Sequence, residues 1–152
     1  MPNGEKRLRF KQPDGFTVTS TIANQWKPEE GLSWQEPHFH KGISESYFLI
    51  SGEVWFVWCE GNLVFSQNLK EPGENIDFKP LVPHLVILAP GAHIVTAQSG
   101  QEVGNPDRKG NDWYPVEDTF WSLVEEEQKT IEYLLRCSYS ALSLPEVPIV
   151  DK

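Results

Sequence analysis

Cysteine is scarce in this chain, with two residues, Cys59 and Cys137, and a disulfide framework is therefore excluded. Cys59 lies in an apolar run and is read as a buried thiol. Both are expected reduced in a cytoplasmic protein. No Asn-x-Ser/Thr acceptor site occurs, which fits the same compartment. No apolar run is long enough to cross a bilayer, and the first residues carry charges with no apolar stretch behind them. Basic residues are also few: 13 Lys and Arg stand against 22 Asp and Glu, a formal net charge of −9. That field repels a nucleic-acid backbone or an anionic membrane, so neither is expected as a partner. Low complexity is missing as well. The 11 Gly and 12 Pro are spread along 152 residues, a length that suits one domain, here residues 1–152.

What is present is short β-favouring segments at even spacing. Residues 1–15 read as a polar lead-in. A half-buried edge strand is predicted from Phe16 to Ile22, with apolar side chains alternating at Phe16 and Val18 before the pattern slips. Residues 24–37 read as a loop holding Trp26 and Trp34, either packed or at a pocket mouth. Strands follow at Ser46–Ile50, Glu53–Glu60 and Leu63–Leu69, joined by turns at Ser51-Gly52 and Gly61-Asn62. Asn75–Phe78, the wholly apolar Leu85–Leu88 and His93–Ala97 complete the series. The pattern predicts an all-β sandwich or barrel over about 16–98, then a loop over 99–115. From Val116 to Arg136 the period changes, with Phe120, Leu123, Val124, Ile131, Leu134 and Leu135 on one face. This reads as one amphipathic α-helix, with Glu125 to Glu127 on its wet side and an irregular tail over 137–152.

One segment carries chemistry: Pro37-His38-Phe39-His40-Lys41-Gly42-Ile43-Ser44-Glu45. On a strand, residues i and i+2 share a face, so His38 and His40 can aim two imidazoles at one point. Gly42 turns the chain back, and Glu45 can bring a carboxylate to the same place. Such a set suits a divalent transition metal: iron, nickel, manganese or zinc. The alternative is two solvent-facing histidines beside an unrelated glutamate. His84 follows Pro80 and Pro83 at the start of a buried strand, where it can point inward or serve as a hydrogen-bonded core histidine. Tyr47 shares the face of Glu45, and its hydroxyl is a candidate donor to a bound ligand. His93 reads as structural.

These residues resemble the cupin superfamily. Its first motif is Gly, five residues, His-x-His, three or four residues, Glu, six residues, Gly. His38, His40, Glu45 and Gly52 fit it, while Leu32 stands at the leading glycine. The second motif is Gly, five residues, Pro-x-Gly, two residues, His, three residues, Asn. Gly73 and His84 fit; Lys79, Leu81 and Leu88 depart from it. The resemblance implies a cupin-type double-stranded β-helix, a jelly-roll barrel, with the metal bound inside by His38, His40, Glu45 and His84. It also implies a small-molecule substrate or ligand and pairing of two copies through their sheets, a homodimer; the Trp-rich strand Trp55-Phe56-Val57-Trp58 fills the barrel with one face and covers either the helix or a second copy with the other. The expected activity is dioxygenase- or isomerase-type chemistry on a small polar organic molecule, with Tyr47 and His84 as catalytic candidates. A second similarity, carried by Val82-Pro83-His84, Ala89 to Thr96 and Asn111-Asp112-Trp113, is to sugar-nucleotide ketoisomerases and their WxcM-like relatives. It implies a metal-independent isomerase with a histidine base. A non-catalytic binding or sensing module is the third expectation.

Overall fold

The computed structural model describes residues 6–12, 16–23, 33–100 and 113–143. The strands are β1 (Lys6–Gln12), β2 (Phe16–Ile22), β3 (Ser33–Phe39), β4 (Ser44–Ser51) and β5 (Val54–Glu60). After them come β6 (Leu63–Leu69), β7 (Asn75–Phe78), β8 (His84–Leu88), β9 (His93–Ser99) and β10 (Tyr114–Pro115), then helix α1 (Asp118–Ser143). They form two five-stranded sheets, ordered β1-β2-β9-β4-β7 and β10-β3-β8-β5-β6, with every pairing antiparallel. The crossovers between sheets make a double-stranded β-helix with one C-terminal helix, the predicted class.

The turns follow from local chemistry. Gly52 joins β4 to β5 at φ +87°, and a Cβ there would meet Ala92 Cα at 2.8 Å. Only glycine suits both the conformation and the space. The apolar run of β8 is buried at every position, as a strand covered on both faces must be. Its inward side joins Leu49, Val54, Phe56, Leu69, Phe78 and Ile94 in the barrel core. Its outward side, Leu85 and Ile87, packs with Val57 of β5 under Phe120, Val124, Ile131 and Leu135 of α1.

Several expectations are corrected. The lead-in contains a strand, β1, which pairs with β2 along its whole length. The loop expected over 24–37 gives way to β3 from Ser33, because pairing with β8 supplies hydrogen bonds that composition does not reveal. The loop expected over 99–115 contains strand residues at both ends, Ser99 in β9 and Tyr114–Pro115 in β10; residues 101–112 lie outside the described residues. The helix starts at Asp118 and runs past Arg136 to Ser143, so the expected irregular tail is helical in its first part. Leu123 and Leu134 are exposed rather than on the buried face. Of the two coverings open to the outer face of the Trp-rich strand β5, the helix or a second copy, the structure shows the helix, α1.

The largest correction concerns the first sheet. On β2 the inward residues are Thr17, Thr19 and Thr21, all buried, while Phe16, Val18 and Ile22 face out. The pattern is inverted: hydroxyls line the interior, and Leu8, Phe10, Phe16, Ile22, Phe48 and Ile50 are exposed. Trp26 lies outside the described residues. Among the described residues no helix is long and apolar enough to cross a membrane.

Candidate metal centre

The cluster spans both sheets. β3 is interrupted by a register shift between Gln35 and His38, where Pro37 stands. Proline has no amide hydrogen to give a ladder, so it sits where pairing is broken, and such irregularities re-aim the following side chain. Beyond the shift His38 lies directly opposite His84 on β8, and His40, two residues on, faces the same interior. The chain returns through Gly42, and Glu45 enters from β4 in the other sheet, between Gln98 of β9 and Phe78 of β7.

The four side chains predicted to converge do so. A ligand atom from each of His38, His40, Glu45 and His84 lies within 4.8 Å of the others, and all four residues are buried. Glu45 Oε1 is 2.7 Å from His40 Nε2, 3.1 Å from His84 Nε2 and 3.8 Å from His38 Nε2. These close approaches are poorly aligned, and Oε1 is left buried without a well-formed hydrogen bond. An orphaned buried carboxylate oxygen facing three imidazole nitrogens is costly unless something sits among them. A divalent cation fits that place, and three nitrogens with one oxygen are the donor chemistry of the late first-row metals.

Neighbouring groups orient each ligand. Gln98 Nε2 donates to Glu45 Oε2 at 2.9 Å, which turns Oε1 toward the histidines. His84 Nδ1 donates to the Val82 carbonyl at 3.0 Å, so Nε2 carries the lone pair. The His84 ring stacks on Phe78, with centroids 4.3 Å apart and an 8° tilt. Trp113 stacks on His38 at 5.6 Å and is partly exposed, which puts it at the outer edge of the site. Tyr47, buried, brings its hydroxyl to 3.3 Å from His84 Nε2. Burial alone would raise the Glu45 carboxyl, but the surrounding imidazoles outweigh it and hold the group well below the usual carboxylate range. The site thus keeps an anionic ligand at neutral pH.

Sequence reasoning missed Gln98, Phe78 and the threonines. Gln98 was within reach: counting in twos from Ile94 along β9 passes Thr96 and arrives at it. His93 is remote from the cluster and shares a 2.7 Å hydrogen bond with Ser20 Oγ. Lys41 is exposed, with Nζ 4.3 Å from the Tyr114 ring centre.

No protein-family model matches the sequence, and no curated protein matches it. Solved structures do. KdgF from Halomonas sp. is 15% identical at a TM-score of 0.53, the match covering 64% of this chain and 80% of that one. The capsular polysaccharide assembling protein CapF from Staphylococcus aureus is 19% identical at 0.56, covering 73% of this chain and 30% of that one. A mutant of oxalate decarboxylase OxdC from Bacillus subtilis is 15% identical at 0.53, covering 68% and 25%. This chain thus spans most of KdgF and less than a third of the other two. The likeness shows the fold, the cupin-type double-stranded β-helix that the sequence resemblance implies.

Proposed function

We propose that the protein is a metal-dependent enzyme acting on a small polar organic molecule inside the barrel. The observation that carries this is the buried convergence of His38, His40, Glu45 and His84 on one point, with Glu45 Oε1 lacking a well-formed hydrogen bond. Iron, nickel, manganese and zinc all suit the set, and one matched oxalate decarboxylase structure concerns Mn(II) centres (16% identity, TM-score 0.50, 63% of this chain and 25% of that one). A metal held there supplies a Lewis acid and a template for substrate oxygens, with dioxygenase- or isomerase-type reactions as the chemistry. The protein's own residues do the rest. His38, His40, Glu45 and His84 bind the ion, Gln98 fixes the carboxylate, and the Tyr47 hydroxyl stands beside His84 as a proton donor to a bound ligand. We place the protein in the cytoplasm, on its cysteine usage, and as a homodimer, on the exposed apolar face of the first sheet.

The close pair of Tyr47 and His84 supports a second reading, metal-independent isomerisation of a keto sugar with a histidine as base. Elemental analysis separates the two. Protein purified without chelator or affinity metal is expected to hold near-stoichiometric transition metal, lost in His38→Ala. Wild-type protein that stays metal-free after reconstitution overturns the metal reading and leaves the isomerase or a binding module.

A further inference from the structure

The interior of the first sheet is organised in rows. Opposite residues of antiparallel strands point to the same face, so the pairings can be followed across the sheet. One row runs Arg9, Thr19, Thr96, Tyr47, from β1 through β2 and β9 to β4. Thr19, Thr96 and Tyr47 are buried, and Arg9 at the sheet edge is exposed. The row ends at the metal centre, because the Tyr47 hydroxyl is 3.3 Å from His84 Nε2. The next row runs Thr17, Gln98, Glu45, and Lys11 holds the register position opposite Thr17. On the other side the row of Arg7, Thr21, Ile94 and Leu49 ends in the apolar core.

Two features of this arrangement need a cause. The first is the inverted strand β1: Arg7 and Arg9 share the threonine face, while Leu8 and Phe10 are exposed on the other. The second is charge. In a chain of net charge −9, cations are gathered on the one strand whose inner face continues the polar wall of the metal site. Cations also suit an edge strand, but a barrel built only for stability places apolar residues on its inner face, and β1 does not.

The geometry points to an organic anion as the ligand: a molecule that offers polar oxygens to the metal centre and a carboxylate or phosphate to Arg9, with hydroxyls between them on Thr19 and Thr96. This inference rests on the barrel interior being the ligand site, as proposed above. Three strand spacings separate the backbones of Arg9 and Tyr47, roughly 14 Å. Strand side chains stand roughly perpendicular to the sheet, so a flexible arginine that leans inward along the wall leaves a span that a small organic acid or phosphate ester bridges. A guanidinium binds either anion through two parallel hydrogen bonds.

Thermal unfolding of the metal-loaded full chain, at constant ionic strength, tests this. The probes are galacturonate and succinate as carboxylates, galactose 1-phosphate as a phosphate, and methyl galactoside as the neutral control. A ligand of the folded state raises Tm. Millimolar anion of at least one class is expected to raise Tm by several degrees, with no shift from the neutral sugar. Arg9→Gln is expected to weaken that binding roughly tenfold or more. Arg7→Gln, one row nearer the core, has the smaller effect. A shift from carboxylates alone or from the phosphate alone identifies the anionic group. No shift from any anion, an equal shift from the neutral sugar, or anion binding untouched in Arg9→Gln overturns the inference. Metal content is measured on the same samples. A protein without metal whose anion shift is still lost in Arg9→Gln refutes the metal reading alone. A metal-loaded protein with no anion shift refutes this inference alone.

Discussion

Leu81 holds φ +69°, and it stands where the cupin motif has its second glycine. The turn is nonetheless made, because the Leu81 amide donates to the His40 carbonyl at 2.6 Å and so ties the approach to β8 onto the metal centre. A side chain in the left-handed region costs about 1–2 kcal/mol, and the 64%-exposed leucine recovers little of it by burial. Glycine removes that cost and adds chain entropy to the unfolded state. Leu81→Gly is therefore expected to stabilise the protein by about 0.5–1 kcal/mol. The urea midpoint reads it, and a lower midpoint than wild type would show that Leu81 packs against something it needs. His40→Ala behaves differently. It removes one donor from the cluster, so metal retention falls sharply in a dialysis assay while the cooperative unfolding transition survives. Loss of the transition with metal content unchanged would refute the ligand assignment. At this scale the site was largely legible. His38 and His40 follow from period two, and Glu45 and Gly52 from spacing. Gln98 and the inward threonines were not legible, because their roles depend on strands that meet only through non-local pairing.

Helix α1 shows what periodicity can and cannot resolve. Its existence was evident from the change of period after Val116, but two of the six apolar residues assigned to its buried face lie in solvent. Which flank of a helix faces the sheet depends on the sheet's contour, and the helix sequence does not contain it. Ile131→Ala removes a side chain packed on the second sheet and is expected to cost about 2–4 kcal/mol. Leu134→Ala, at an exposed position, should change stability by less than about 0.5 kcal/mol. Chemical denaturation of the pair checks the helix orientation, and similar losses from both would contradict it. Near its end the helix is tied down by hydrogen bonding as well as by apolar contact. Tyr139 donates to Glu53 Oε1 at 3.1 Å, while Asn68 Nδ2 donates to Glu53 Oε2 at 2.7 Å. Burial, with the Glu53 carboxylate beside it, pushes the Tyr139 hydroxyl up to about 12. The unfolded phenol titrates near 10, so the tie contributes fully below about pH 10 and is lost as pH rises toward 12. Wild-type Tm should accordingly fall faster above pH 10 than that of Tyr139→Phe, and parallel curves would show that the tie contributes nothing.

At the scale of the molecule, the two sheets solve their outer faces differently. The second carries Val57, Cys59, Leu85 and Ile87 outward and covers them with α1. The first carries Leu8, Phe10, Phe16, Ile22, Phe48 and Ile50 outward, and no described helix covers them. Strands β1, β2, β9 and β4 are seven or eight residues long and β7 four, so the face measures at most roughly 24 Å by 23 Å. Side-chain relief brings that area toward the ~800 Å² per partner of a standard interface. Such an apolar surface on a free monomer is a liability, and a two-fold axis through the face lets a second copy cover it with the same residues. The polar wall inside and the apolar wall outside then follow from one choice of strand phase. The side proposed to meet a ligand carries Thr17, Thr19, Thr21 and Thr96, and the side proposed to meet a second copy is apolar. A single register slip would exchange them. Light scattering should therefore find a dimer. Phe48→Glu places two like charges at the centre of the face and is expected to give a folded monomer that still retains metal. A wild-type monomer at micromolar concentration, or a dimer unaffected by Phe48→Glu, would place the partner surface elsewhere.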